Sequence, residues 1–173
     1  MDLAHLHLLL NHVPVTAAVF GLVVLAAGIL SRSIGVRNVG LGFLVLSAVS
    51  AIPVYLTGES AEEVVEGIQG VTEGFIDQHQ SAAEVSLGLA IVSGIIALAA
   101  LFPMRGAYAR LRGFLVLGAL FASVLTCASM AWTANLGGQI RHTEIRAGVQ
   151  PADQDQTEKK RDRKGRDADD DDE

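Results

Sequence analysis

The 173-residue sequence predicts an all-α fold, an integral membrane four-helix bundle with a short outward-facing amphipathic helix between spans 2 and 3. Three observations carry this expectation. Half of the residues are hydrophobic, and they concentrate in four runs, residues 8–30, 39–56, 85–104 and 113–134. None of these runs contains Asp, Glu, Lys or Arg, and none shows the polar stripe every three to four residues that a soluble helix keeps. A helix rises about 1.5 Å per residue, so ~20 apolar residues cross the ~30 Å hydrocarbon core of a bilayer.

The first run opens with His5-Leu-His7-Leu-Leu-Leu-Asn11-His12-Val-Pro14. Pro14 lacks an amide hydrogen and is expected to bend the helix, turning His12 inward. On a helix His5 and His12 share one face, whereas His7 and Asn11 share another. The second run holds Gly40, Gly42, Ser47, Ser50 and Pro53, small residues that suit close helix packing in a membrane. The connection after it carries Glu59, Glu62, Glu63, Glu66, Glu73, Asp77 and Glu84 but no Lys or Arg. Ser60-Ala-Glu-Glu63 there fits a capping box, followed by an apolar stripe of Val64, Val65 and Ile68. From about Thr72 a helix is expected to run through His79 and Glu84 into the third span, lifting His79 about one turn above the membrane edge.

The fourth run contains the single cysteine, Cys127, read as a packing residue. The paired glycines Gly137 and Gly138 are expected to end that helix and let Arg141, His142 and Glu144 fold over the bundle mouth. Two domains result: residues 1–146 form the transmembrane unit, and 147–173 a charged tail too poor in apolar residues to order itself. No cleaved signal peptide is expected, since the first residues lack a basic region.

Arg32 and Arg37 lie in the first connection, and Arg105, Arg110 and Arg112 in the third. The positive-inside rule then places both connections in the cytoplasm, with the two termini and all five histidines outward. Arg141 and Arg146 run against that bias.

The HLHLLLNHVP run, the turn Leu56-Thr-Gly-Glu59, the Asp77-Gln-His79 element and the ANLGGQIRHTEIR ending together resemble an uncharacterised family of bacterial four-span inner-membrane proteins. The likeness covers roughly residues 3–146. It implies a multi-pass protein of the bacterial inner membrane, where the outward termini expected from the charge bias would be periplasmic, and it implies no established activity.

Imidazoles gathered at one mouth of a helical bundle suit a haem or a metal. Haem b held by His12 and His79, with His142 as substitute and Arg141 or Arg146 on the propionates, is the sharper expectation. The rival is a copper, iron or zinc ion bound among His5, His7, His12, His79, His142 and a carboxylate such as Glu59. Either implies electron transfer within a larger membrane complex, with a periplasmic electron carrier as partner, rather than catalysis by the chain itself. The alternative is a non-catalytic membrane subunit or sensor without a cofactor, its histidines bonded to headgroups or neighbouring helix ends. No phosphate loop or nucleophile–base pair is visible, and nucleic acid is not an expected partner; the lipid bilayer is.

Overall fold

In the computed structural model, which describes residues 2–68, 71–103, 106–142 and 145–146, six α-helices follow one another without a strand. They are α1 (Leu3–Leu10), α2 (His12–Leu30), α3 (Ile34–Leu56), α4 (Gly58–Glu66), α5 (Glu73–Leu101) and α6 (Ala109–Arg141). Four stretches, Leu3–Leu30, Ile34–Leu56, Glu73–Leu101 and Ala109–Arg141, have 28, 23, 29 and 33 residues and are long and apolar enough to cross a membrane. The protein is a multi-pass helical bundle. The charged tail, 147–173, lies outside the described residues, as do Arg105 and Glu144.

The bundle closes as a ring: α2 packs on α3, α3 on α5, α5 on α6, and α6 back on α2. Short connections make sequential helices antiparallel. The turn after α2 is the tightest. Ser33 N–H bonds to Gly28 O at 3.0 Å and Arg32 N–H to Ile29 O at 3.1 Å, the paired bonds of a Schellman motif. Arg32 sits at its left-handed position with φ 55°, where glycine is the usual occupant.

Two core layers fill the ring. Leu25, Leu41, Leu44, Ala97, Ala100, Val116 and Ala119 form one toward the arginine-bearing end. Ala18, Ala51, Ala90 and Met130 form the other, toward the histidines. Lipid tails are as apolar as leucine, so helix association in a bilayer depends on close packing and interhelical hydrogen bonds. Small residues supply the first: a Cβ on Gly40 would meet Leu25 N at 2.5 Å and its Cα at 2.7 Å. Hydroxyls supply the second. Ser47 Oγ donates to Pro14 O across 2.8 Å between α3 and α2. Between α5 and α6, Ser86 Oγ lies 2.7 Å from Ser129 Oγ and 2.9 Å from Thr133 Oγ1. Large apolar side chains such as Phe20, Phe121 and Trp132 are more than half exposed and face outward, as lipid contact requires.

Three local expectations are corrected. The break in the first span falls at Asn11 rather than as a bend at Pro14 itself, because Pro14 has no amide hydrogen for Leu10 O, one turn back. His12, directly after that break, is exposed and does not turn inward. The Ser60 capping box does not form. α4 starts at Gly58, two residues earlier, and Thr57 before it makes no side-chain cap because its hydroxyl bonds backward to Pro53 O at 2.8 Å. Finally, Gly137 and Gly138 do not end α6, which continues to Arg141. Gly137 serves a neighbouring helix instead.

Candidate functional site

At the histidine-bearing end of the bundle, α1 and α4 pack on each other and against α3, and α1 also contacts α2. Within this end the five histidines have separate fates. His5 remains at the surface: Asp2 caps α1 by accepting from His5 N–H at 2.8 Å, and the same carboxylate oxygen lies 2.9 Å from His5 Nδ1. His12 is exposed, and so is His142, which caps the end of α6 through its backbone N–H to Gly138 O at 2.9 Å. Only His7 and His79 are partly buried.

His7 reaches from α1 to the end of α3, where its Nδ1 lies 2.9 Å from Val54 O. The interruption at Thr57 explains why that carbonyl is open. The last carbonyls of a helix lack intrahelical donors, and here His7 and the Thr57 hydroxyl, 3.0 Å from Val54 O, provide them. A carbonyl oxygen only accepts, so His7 Nδ1 must carry the proton. In the neutral ring, Nε2 is then left as a lone-pair acceptor.

His79 repeats this arrangement from α5. Its Nδ1 donates to Thr133 O of α6 at 3.0 Å. Thr133 O lies in mid-helix, where side chains normally shield the backbone. Gly137, one turn on, removes the shield: a Cβ there would lie 3.0 Å from His79 Cε1 and 3.2 Å from Nδ1. Again the proton sits on Nδ1 and Nε2 is left as acceptor. One turn beyond His7 on the same face, Asn11 Oδ1 is buried without a hydrogen-bond partner among the described residues.

The remaining candidates lie apart. Arg146 donates from Nε to Gln139 O at 2.8 Å and from Nη2 to Ile140 O at 3.1 Å, and its guanidinium stacks 4.4 Å from the Phe75 ring centroid. It therefore caps the carbonyl end of α6 and ties it to α5. Arg141 and Glu59 are exposed. Among the described residues, no group of three or more His, Cys, Asp or Glu side chains is placed to hold a metal ion. The many-ligand set of His5, His7, His12, His79, His142 and Glu59 is thus not assembled there.

The acidic connection is arranged around Glu62. Partial desolvation first, and then the charges of Glu66, Asp77 and Glu59, raise its carboxyl above the usual range. Asp2 moves the opposite way, held below its ordinary range chiefly by the backbone hydrogen bond from His5.

No family model matches the chain, and no curated protein or solved structure shows significant similarity to it. Two orienting contacts were not anticipated from the sequence. The His7/Asn11 spacing did mark the face that becomes buried, and a glycine pair within a long helix was the trace of the His79 contact.

Proposed function

We propose that this chain is a membrane subunit that binds one haem b or one metal ion between His7 and His79 and serves electron transfer in a larger membrane complex. The observation that carries the reading is the shared tautomer. Each imidazole gives Nδ1–H to a backbone carbonyl from another helix, which orients the ring and leaves Nε2 as a ligand. Two imidazoles from different elements would be the residues to hold haem iron, and one-electron exchange is the chemistry such a group would supply when bound. The chain's own contribution is orientation, and the unpartnered Asn11 Oδ1 adds a buried acceptor on the His7 face. His12, the histidine favoured by sequence depth, is replaced by His7 because it is exposed while His7 is not.

With arginines at the opposite end, the positive-inside rule turns the histidine end outward. In a bacterial inner membrane, as the motifs suggest, that end faces the periplasm, where a soluble electron carrier would meet it. A second reading has its own support. Each of the two rings already joins two helices, so a non-catalytic subunit could use both purely as latches.

The two readings separate by spectrum and metal content. The purified chain, supplied with haemin, should show a Soret band and a reduced-minus-oxidised α-band lost in His7→Ala and in His79→Ala but retained in His12→Ala. Stoichiometric copper, iron or zinc without those bands would identify the ion instead. Blank spectra together with no bound metal leave only the latch.

A further inference from the structure

Among the described residues, the end of the bundle opposite the histidines carries positive charge without an acidic partner. Arg32, Arg37, Arg110 and Arg112 lie there, and residues 3–56 and 85–141 contain no Asp or Glu. An open cleft of about 440 Å³ enters this end between Ile29 of α2, Arg37 of α3, and Arg110, Gly113, Phe114 and Leu117 of α6. A smaller recess of about 160 Å³, sharing Arg37 and Gly113 with it, reaches Arg112.

The cleft is graded along α6. Arg110 stands at the rim, and Gly113, Phe114 and Leu117 follow at three, four and seven residues, on one side of the helix and deeper into the apolar zone. Arg112 is committed to structure, donating from Nε to Ala100 O at 3.0 Å and from Nη2 to Asn38 Oδ1 at 2.8 Å. The Arg37 side chain makes one long contact, Nε to Ser33 O at 3.4 Å, and its remaining guanidinium donors, like those of Arg110, lack partners among the described residues. Below them the walls are apolar, with Phe114 and Leu117 72% and 55% exposed toward the lateral surface.

We propose that this cleft is a binding site for an acidic phospholipid, whose phosphate is met by Arg37 and Arg110 and whose acyl chain runs over Gly113, Phe114 and Leu117. Two kinds of observation coincide at the site. Cationic donors head the cleft, and an apolar trough open sideways to the bilayer continues from them. A free phosphate uses only the first, and in a zwitterionic lipid the headgroup's own cation offsets the phosphate charge that the arginines would meet. Basic recesses at the ends of membrane helices bind anionic headgroups through this combination. Gly113 is the floor, since a Cβ there would meet nothing within 4 Å, so a larger side chain can fill the trough without displacing the helices.

Native mass spectrometry of the 173-residue chain with equimolar phosphatidylglycerol and phosphatidylcholine tests the site. The unaltered chain should retain phosphatidylglycerol preferentially. Arg37→Gln combined with Arg110→Gln should reduce that preference about tenfold, and Gly113→Leu should reduce retention of the lipid with helix content unchanged. Arg32→Gln, outside the cleft, should retain the preference and controls for diffuse charge. Equal retention of both lipids, an unchanged preference in the double arginine variant, unchanged retention in Gly113→Leu, an equal loss in Arg32→Gln, or displacement by millimolar inorganic phosphate would each overturn the proposal.

Discussion

His79 lies directly on the backbone of α6 at Gly137, where an added Cβ would sit 3.0 Å from its Cε1, and this approach allows its bond to Thr133 O. Gly137→Ala therefore has two opposed effects. Alanine improves helix propensity by about 0.8–1 kcal/mol, while displacement of the ring weakens a hydrogen bond worth about 0.5–1.5 kcal/mol. Net stability should change by less than about 1 kcal/mol. The nitrogen-15 signals of His79 should nevertheless shift as Nδ1 loses its carbonyl partner. Unmoved signals in the folded variant would show that the glycine is not what admits the ring.

His7 is the corresponding clamp on α1. His7→Ala removes its donor to Val54 O, at a cost of about 1 kcal/mol. The loss should be local: amide exchange should quicken across Leu3–Leu10 and leave α5 and α6 unaffected. Uniform faster exchange over the whole bundle would refute a local latch.

Gly40 tests the close approach of α2 and α3. A methyl group at this position meets Leu25 backbone atoms, which cannot rotate away as a side chain can. Gly40→Ala should destabilise the bundle by about 1–3 kcal/mol despite its better helix propensity. Gly42→Ala, whose Cβ would meet nothing within 4 Å, should be neutral or stabilising. Unfolding in mixed micelles compares the two, and equal stabilities would count against the packing account.

Arg32 occupies the left-handed position of the Schellman turn with φ 55°. Glycine has no Cβ to clash there, so Arg32→Gly should raise stability by up to about 1 kcal/mol, less what it adds to the entropy of the unfolded chain. A marked fall in the unfolding midpoint would show that the arginine makes a contribution beyond its backbone.

The pH response should centre on Glu62. Its carboxyl is raised in the folded chain, so protonation is favoured by folding. The stabilising contribution is complete below the unfolded glutamate value of about 4.3 and disappears as pH rises through the higher folded value. Measured against the intrinsic exchange rate at each pH, the amides of α4 should thus be better protected at mildly acidic pH than at neutrality, and Glu62→Gln should flatten the difference. Because Glu62 is largely solvated, the effect should be modest and salt-sensitive. Asp2 works in reverse, its contribution being present above the ordinary aspartate range and lost as pH falls through its lowered value.

Much of the architecture was legible in the sequence. Uninterrupted apolar runs with no charged residue have one stable form in a bilayer, and the helix from Thr72 through His79 appears as α5. Local punctuation was less legible. Ser60 and Glu63 have capping-box spacing, yet α4 had already started at Gly58. Gly137 and Gly138 have the composition of a helix stop, but packing against α5 holds the backbone helical to Arg141. Within the candidate site, residue type identified histidines without distinguishing among them. Depth along the chain favoured His12, while rotation about the helix axis left it exposed and brought His7 to Val54 O.

From the sequence alone came four apolar helices of membrane-crossing length, their alternating direction, and the separation of histidines from the first and third arginine-bearing connections. These follow from composition and the dimensions of a bilayer, which act on each segment independently. Tertiary structure decided which imidazoles turn inward, which nitrogen carries the proton, and where Arg37 and Arg110 frame a cleft. Those choices depend on contacts between segments far apart in the chain. An open carbonyl at Val54 or a missing Cβ at Gly137 acquires a role only when another helix reaches it.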